Sequence, residues 1–241
     1  MKGRFSQEGL KLLACVTMLI DPFAAVLLLE LFPMTNQTVA LYYILRIIGR
    51  FAFPIYCFLL VEGAHYTRSP RKYALRLAIG AVLSELPYDL AFYGGWTLEN
   101  QSVMITLLLG FAALEAMKRC PKLWQKLLVV MPFAVMAELL HTDYGADGVA
   151  LIALFALTRD LPNRWLCQGL GTWLVFSPGH AMMLNWLGGI SWTIQEHAGL
   201  AILPISLYSG EKRRTSKAVQ WAFYLFYPVH LTVLYILLRM L

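Results

Sequence analysis

Residues 10–31 read LKLLACVTMLIDPFAAVLLLEL. A helix needs roughly 20 mostly apolar residues, at about 1.5 Å rise each, to cross the hydrocarbon of a bilayer. This run meets that length with one charge near its start, Lys11, one in its middle, Asp21, and one near its end, Glu30. It follows Lys2 and Arg4 but lacks the small-residue cleavage site of a leader, so it reads as a retained first helix.

Composition carries that reading to the rest of the chain. Hydrophobic residues make up 59% and charged residues only 14%, with a mean hydropathy of +0.61. A soluble domain needs nearer a quarter charged residues to solvate its surface. Lipid is the solvent that fits. At 241 residues the chain accommodates one membrane domain over 1–241 and no appended soluble one.

Further apolar runs fall at 40–63, 72–93, 101–117, 124–140, 145–157, 162–188, 197–208 and 219–238. The fold class is therefore expected to be all-α, a polytopic transmembrane helical bundle of about nine spans. The runs at 145–157 and 197–208 are short. The run at 162–188 is long and holds Gly171, Pro178 and Gly179, where it could kink or divide.

The formal charge of +6 is distributed by topology. Alternate links hold Lys2 and Arg4, then Arg68, Arg71 and Lys72, then Lys118, Arg119, Lys122 and Lys126. Arg159 and Arg164 come next, followed by Lys212, Arg213, Arg214 and Lys217. The intervening links 32–39, 94–100, 141–144 and 189–196 hold no lysine or arginine. That alternation places the N-terminus on the cytoplasmic side, and only Arg239 breaks it. With no basic patch interleaved with aromatics, nucleic acid is excluded as a partner. Cys15, Cys57, Cys120 and Cys167 are too scattered for a zinc site or a disulfide framework, so no metal is expected.

Ionisable residues inside apolar runs are costly and mark sites or buried pairs. Asp21 lies midway along the first run, with no basic residue of its own helix in reach, which favours a functional role. Arg46 and Arg50 share a face of the second at i,i+4, as do Glu85 and Asp89 on the third. These four make a natural ion-pair network, since guanidinium and carboxylate match in shape and charge. His230 follows Tyr227-Pro228 within the last run, and Glu138 ends the fifth. The orientation puts Asp21, Arg50, Glu85 and His230 near one level around the midplane. Arg46, Asp89, Glu30, Glu138 and Asp143 then fall toward the outer face. His65 and His197 read as interfacial and His180 as a lesser candidate.

Several stretches, in order along nearly the whole chain, resemble the TraX family, membrane proteins named for the conjugative pilin-acetylation protein. They are Leu10-Lys11-Leu12 with Met18-Leu19-Ile20-Asp21; Arg46-Ile47-Ile48-Gly49-Arg50 with Phe53-Pro54-Ile55; and Phe58-Leu59-Leu60-Val61-Glu62-Gly63. Tyr73 with Arg76-Leu77, Ser84-Glu85-Leu86-Pro87-Tyr88-Asp89, and Asn100 with Thr106-Leu107-Leu108 and Gly110 continue the series. Asp143-Tyr144-Gly145 with Gly148, and Tyr227-Pro228-Val229-His230, close it.

The resemblance implies an acetyl-CoA-dependent acyltransferase of a bacterial-type cytoplasmic membrane. It would carry an acyl group from cytoplasmic acyl-CoA to an amine or hydroxyl of a peptide or glycan at the outer face. In that reading His230 is base or acyl carrier, Asp21 its orienting or proton-accepting partner, and Arg50 the electrostatic stabiliser. Glu85, Asp89, Arg46, Asp143 and Tyr227 would bind substrate. The chain departs from relatives at Pro22, where they carry histidine; proline takes no proton and carries no acyl group, so catalysis shifts to His230 or Asp21. A transporter or flippase using the same charged path, and a silent membrane partner, are the rival readings.

Overall fold

Long apolar segments have one way to satisfy their backbone groups away from water, which is to wind into helices. The computed structural model describes residues 5–177, 183–186, 190–210 and 216–240. Among these residues the protein is all-α and of membrane type, with one short hairpin. Helix α1 covers Gln7–Pro22; Ser6 caps it, accepting a hydrogen bond from the Gly9 N–H. A π-helical turn at Phe23–Leu28 and a last turn at Leu29–Leu31 extend it. Pro22 explains the change of winding: it lacks the N–H that the Met18 carbonyl would receive.

The run at 40–63 divides into α2, Asn36–Gly49, and α3, Ala52–Tyr66. Pro54 has no N–H for the Arg50 carbonyl, and the Phe51 N–H turns back to the Ile48 carbonyl at 3.2 Å. Next come α4, Pro70–Tyr93; α5, Val103–Met117; α6, Leu123–Leu139; and α7, Gly145–Thr158. Helix α8 is Arg164–Phe176. After a hairpin follow a 3-10 segment, Ile194–Ala201, and a single-turn α9, Ile202–Ser206. Helix α10, Lys217–Met240, is the last.

Two of the runs are divided. The run at 162–188 is not one helix. It stops at Phe176, just short of Pro178 and Gly179, and strands β1, Met183–Trp186, and β2, Ile190–Thr193, pair antiparallel beyond it. The short run at 197–208 is not one α-helix either: it is 3-10 helix and one α turn, with Gly199 and Pro204 inside it. His180, and Lys212 to Arg214 in the last basic link, lie outside the described residues.

The chain forms two compact units. The first draws on Met1–Tyr56, Leu161–Thr215 and Leu237–Leu241. Here α1 packs on α2, and the 3-10 segment packs on α2 and α8. Small residues set the approach to α8, since a Cβ at Gly199 of the 3-10 segment would stand 3.4 Å from the Gly169 carbonyl oxygen. The Phe5 N–H donates to the Leu207 carbonyl at 3.0 Å, fixing the start of the chain.

The second unit draws on Cys57–Asp160 and Ser216–Ile236. Helix α5 packs against α4, α6 and α7, and its Thr106, Phe111, Ala113 and Leu114 are buried. Gly110 lets Ile152 of α7 lie directly on it. On α6, Trp124, Leu127, Leu128, Met131 and Val135 stand exposed at helical spacing. An outward apolar stripe of that kind suits lipid.

Gln7–Leu28, Asn36–Tyr66 and Ala218–Met240 are long and apolar enough to cross a membrane, whereas Val103–Met117 and Gly145–Thr158 are apolar but shorter. Within the second unit the helices sort the links by charge. Lys118 reaches the Ala64 carbonyl at 2.7 Å and Arg159 reaches Glu62 at 2.8 Å, so basic links gather at one end. At the other end Gln101 pairs with the 141–144 link, donating to the His141 carbonyl at 3.0 Å.

Candidate functional site

The first unit gathers its charges at the break in α1. Arg46 lies 2.9 Å from Asp21, and Arg50 pairs with the other oxygen of the same carboxylate. The i,i+4 spacing on α2 delivers both guanidiniums to one point on the facing helix. Arg50 also donates to the Gln195 side-chain oxygen at 3.0 Å, which brings in the 3-10 segment. The partners that α1 lacks are thus supplied by α2. Nothing in the sequence pointed to Gln195, which stands far along the chain in an unremarkable polar link.

Gly49 makes this pairing possible. A Cβ there would come within 2.7 Å of the Asp21 carboxylate and closer still to its Cβ. The glycine of Arg46-Ile47-Ile48-Gly49-Arg50 is therefore a contact surface for α1. Gly49→Ala is expected to cost about 1–3 kcal/mol, the usual penalty of overpacking. The thermal midpoint in detergent should fall, whereas Gly95→Ala, in open space, should leave it unchanged. An unaltered midpoint for Gly49→Ala would remove the close approach from the account.

The second unit holds Glu85, Asp89, Asp143, Tyr227 and His230. Glu85 accepts from the Ser102 N–H at 3.1 Å and from its hydroxyl at 2.5 Å. Ser102 precedes α5, so the carboxylate sits at the positive end of that helix. Glu85 accordingly lies at the level where α5 begins. Glu138 repeats the device for α7, accepting from the Ala146 N–H at 3.1 Å. Glu85→Gln keeps the shape but discards the charge, and should cost about 1–2 kcal/mol, seen as a lower detergent melting point. An equal melting point would assign the carboxylate no capping role.

Asp89 is 1% exposed. One of its oxygens accepts from the Thr97 N–H at 3.1 Å, and the other has no hydrogen-bond partner among the described residues. Tyr88 and Tyr227 lie within electrostatic reach of Asp143, and Tyr227 also of Glu85. Asp143 itself stands in a strained loop. His141 and Tyr144 on either side of it have φ of 48° and 69°, and Gly145 follows at 44°. The Thr106 hydroxyl donates to the Asp143 carbonyl and holds that loop on α5.

His230 is 5% exposed on α10. Its Nδ1 lies 2.9 Å from the Phe226 carbonyl. A carbonyl only accepts, so Nδ1 carries the hydrogen and Nε2 of the neutral ring keeps its lone pair. That Nε2 is buried and has no partner among the described residues. Phe226 stacks on the ring with centroids 5.1 Å apart, and Tyr227 meets it edge-on at 5.4 Å. The aromatic neighbours fix the imidazole while leaving its basic nitrogen uncommitted.

The structure thus brings Asp21, Arg46 and Arg50 together in one unit. It places Glu85, Asp89, Asp143, Tyr227 and His230 in the other. Ser102 stands at the N-cap position of α5 with its hydroxyl turned to Glu85 rather than back to the helix, and neither the position nor the pairing was singled out from the sequence.

A family model described as TraX protein matches residues 6–238. Among curated proteins, the chain is 29% identical over 255 residues to the probable fimbrial assembly protein FimC, serogroup H1, of Dichelobacter nodosus, a match covering 95% of this chain and 94% of that relative. No solved structure matches the chain significantly. With the match running nearly end to end, the chain belongs to the TraX family.

Proposed function

We propose that this protein is a multi-pass acyltransferase of a bacterial inner membrane. It takes an acyl group, most simply acetyl, from cytoplasmic acyl-CoA and delivers it to an amine or hydroxyl of a peptide or glycan at the outer face. The similarity to a fimbrial assembly protein favours a surface-fibre subunit as the acceptor. The observation that carries the reading is the Nε2 of His230: a buried basic nitrogen, fixed in one tautomer and uncommitted among the described residues.

The reaction makes a bond from the acceptor nitrogen or oxygen to the thioester carbonyl carbon and breaks the carbon–sulfur bond. His230 takes the proton lost by the acceptor and returns it to the leaving thiolate, which departs as coenzyme A thiol. Negative charge builds on the carbonyl oxygen between those steps and calls for a positioned cation. The first unit holds a positioned cation of its own, Arg50, kept in place by Asp21 and Gln195 with Arg46 beside it. Asp21 then acts as the anchor of the arginines. Asp89, Glu85, Asp143 and Tyr227 form the acidic, tyrosine-lined environment assigned to the acceptor.

Membranes containing the protein, given acetyl-CoA labelled in the acetyl group, test the reading. Transfer of label to a membrane-associated or external acceptor is expected. Label that stays on coenzyme A, with proteoliposomes instead showing coupled solute uptake, would replace the transferase by a transporter.

A further inference from the structure

At the basic end of the second unit the paired carboxylates are engaged by residues other than Arg76. Glu62 is committed to Arg159, Asp160 to the same guanidinium, and Glu115 to Lys118. Arg76 on α4 makes no ion pair with any described residue, and its Nε is buried without a hydrogen-bond partner there. Its guanidinium faces two rings instead, 5.4 Å from the centroid of Tyr73 and 6.0 Å from that of Tyr224.

The rings are held in place. Tyr73 hydrogen-bonds with Tyr224, its ring lies 4.7 Å from Phe111, and a Cβ at Gly63 would stand 2.8 Å from its hydroxyl. The aromatic faces hold the guanidinium but leave its positive charge without a counter-charge among the described residues. Lys72, exposed and one turn earlier at i,i+4, adds a second cation on the same face. Like charges at that spacing repel unless an anion lies between them.

We infer that Arg76, with Lys72, holds a phosphate-bearing anion at the basic end of this unit. Tyr73 and Tyr224 fix the guanidinium plane so that its N–H groups present a fork to phosphate oxygens, while lysine contributes a mobile point charge nearer the rim. The phosphate could be that of an acidic lipid headgroup or of a nucleotide-type coenzyme. The inference rests on binding alone and does not depend on acyl transfer.

The full-length protein in detergent is the material for the test. Retention of phosphatidylglycerol is read by native mass spectrometry, and coenzyme A binding by calorimetry. Wild type is expected to bind at least one probe, Arg76→Gln to weaken that binding at least tenfold, and Arg76→Lys to recover part of it. A loss confined to phosphatidylglycerol identifies the lipid source, and a loss confined to coenzyme A the coenzyme. Should Arg76→Gln fail to fold, the exposed Lys72→Gln carries the test, with a threefold or greater loss expected. Binding of neither probe by wild type, or binding unchanged in the folded variants, overturns the inference and leaves Arg76 a cation reaching for the interface.

Discussion

His230→Gln lowers the proposed acyl transfer by about 10²–10⁴-fold, the usual contribution of a positioned general base. Glutamine keeps a donor for the Phe226 carbonyl and nearly fills the space beside Phe226 and Tyr227, so the helix should remain folded. What it removes is the lone pair of Nε2. The measurement is the rate of labelled acetyl transfer in membranes, accompanied by a detergent melting curve. A rate loss with an unchanged melt assigns the effect to chemistry. Wild-type rates in the glutamine variant would strip His230 of its role, whatever the acceptor turns out to be.

Asp21→Asn has the second large effect, and it falls on stability. Arg46 and Arg50 both pair with this carboxylate, and all three side chains are at most 20% exposed. Removing one member of a buried pair strands the opposite charge and costs about 3–5 kcal/mol. Asparagine can still accept one hydrogen bond, so the lower part of that range applies. Combining Asp21→Asn with Arg46→Gln should recover part of the loss, because fewer charges are left unmatched. A melting point for Asp21→Asn equal to wild type would show that the arginines draw their support elsewhere. It would also return Asp21 to the proton-accepting role considered from the sequence.

The two experiments separate roles that the sequence alone ran together. A mid-helix carboxylate, a pair of arginines and a histidine all read as intramembrane polar residues awaiting a function. Their local geometry sorts them. Asp21 is paired with two arginines, Glu85 and Glu138 sit at helix N-termini, and His230 retains a nitrogen uncommitted among the described residues.

Much of the fold was legible because apolar runs and helices share a physical cause. The runs at 72–93, 101–117, 124–140 and 219–238 reappear as α4, α5, α6 and α10 within a few residues. Reading failed where hydropathy and helix formation part company. Residues 197–208 are apolar enough to suggest a span, yet Gly199 and Pro204 stand five positions apart within them and the backbone winds as 3-10 helix and a single α turn. The i,i+4 arginines were visible, but their partner was misread: charge matching pointed to Glu85 and Asp89, whereas both arginines pair with Asp21, and Glu85 and Asp89 accept from Ser102 and Thr97. Only the close approach of α1 at Gly49 decides it. Pro22 was legible as a break in the first helix, and its structural result, a π-helical turn that begins directly after it at Phe23, is what a missing N–H at that position produces.

The most direct test of the central claim is acetyl transfer from labelled acetyl-CoA in membranes bearing either the wild-type chain or His230→Gln at matched abundance. The account predicts label on an acceptor with the wild type and at least a hundredfold less with the variant. Equal labelling in both, or none in either while the wild type is folded, would contradict it.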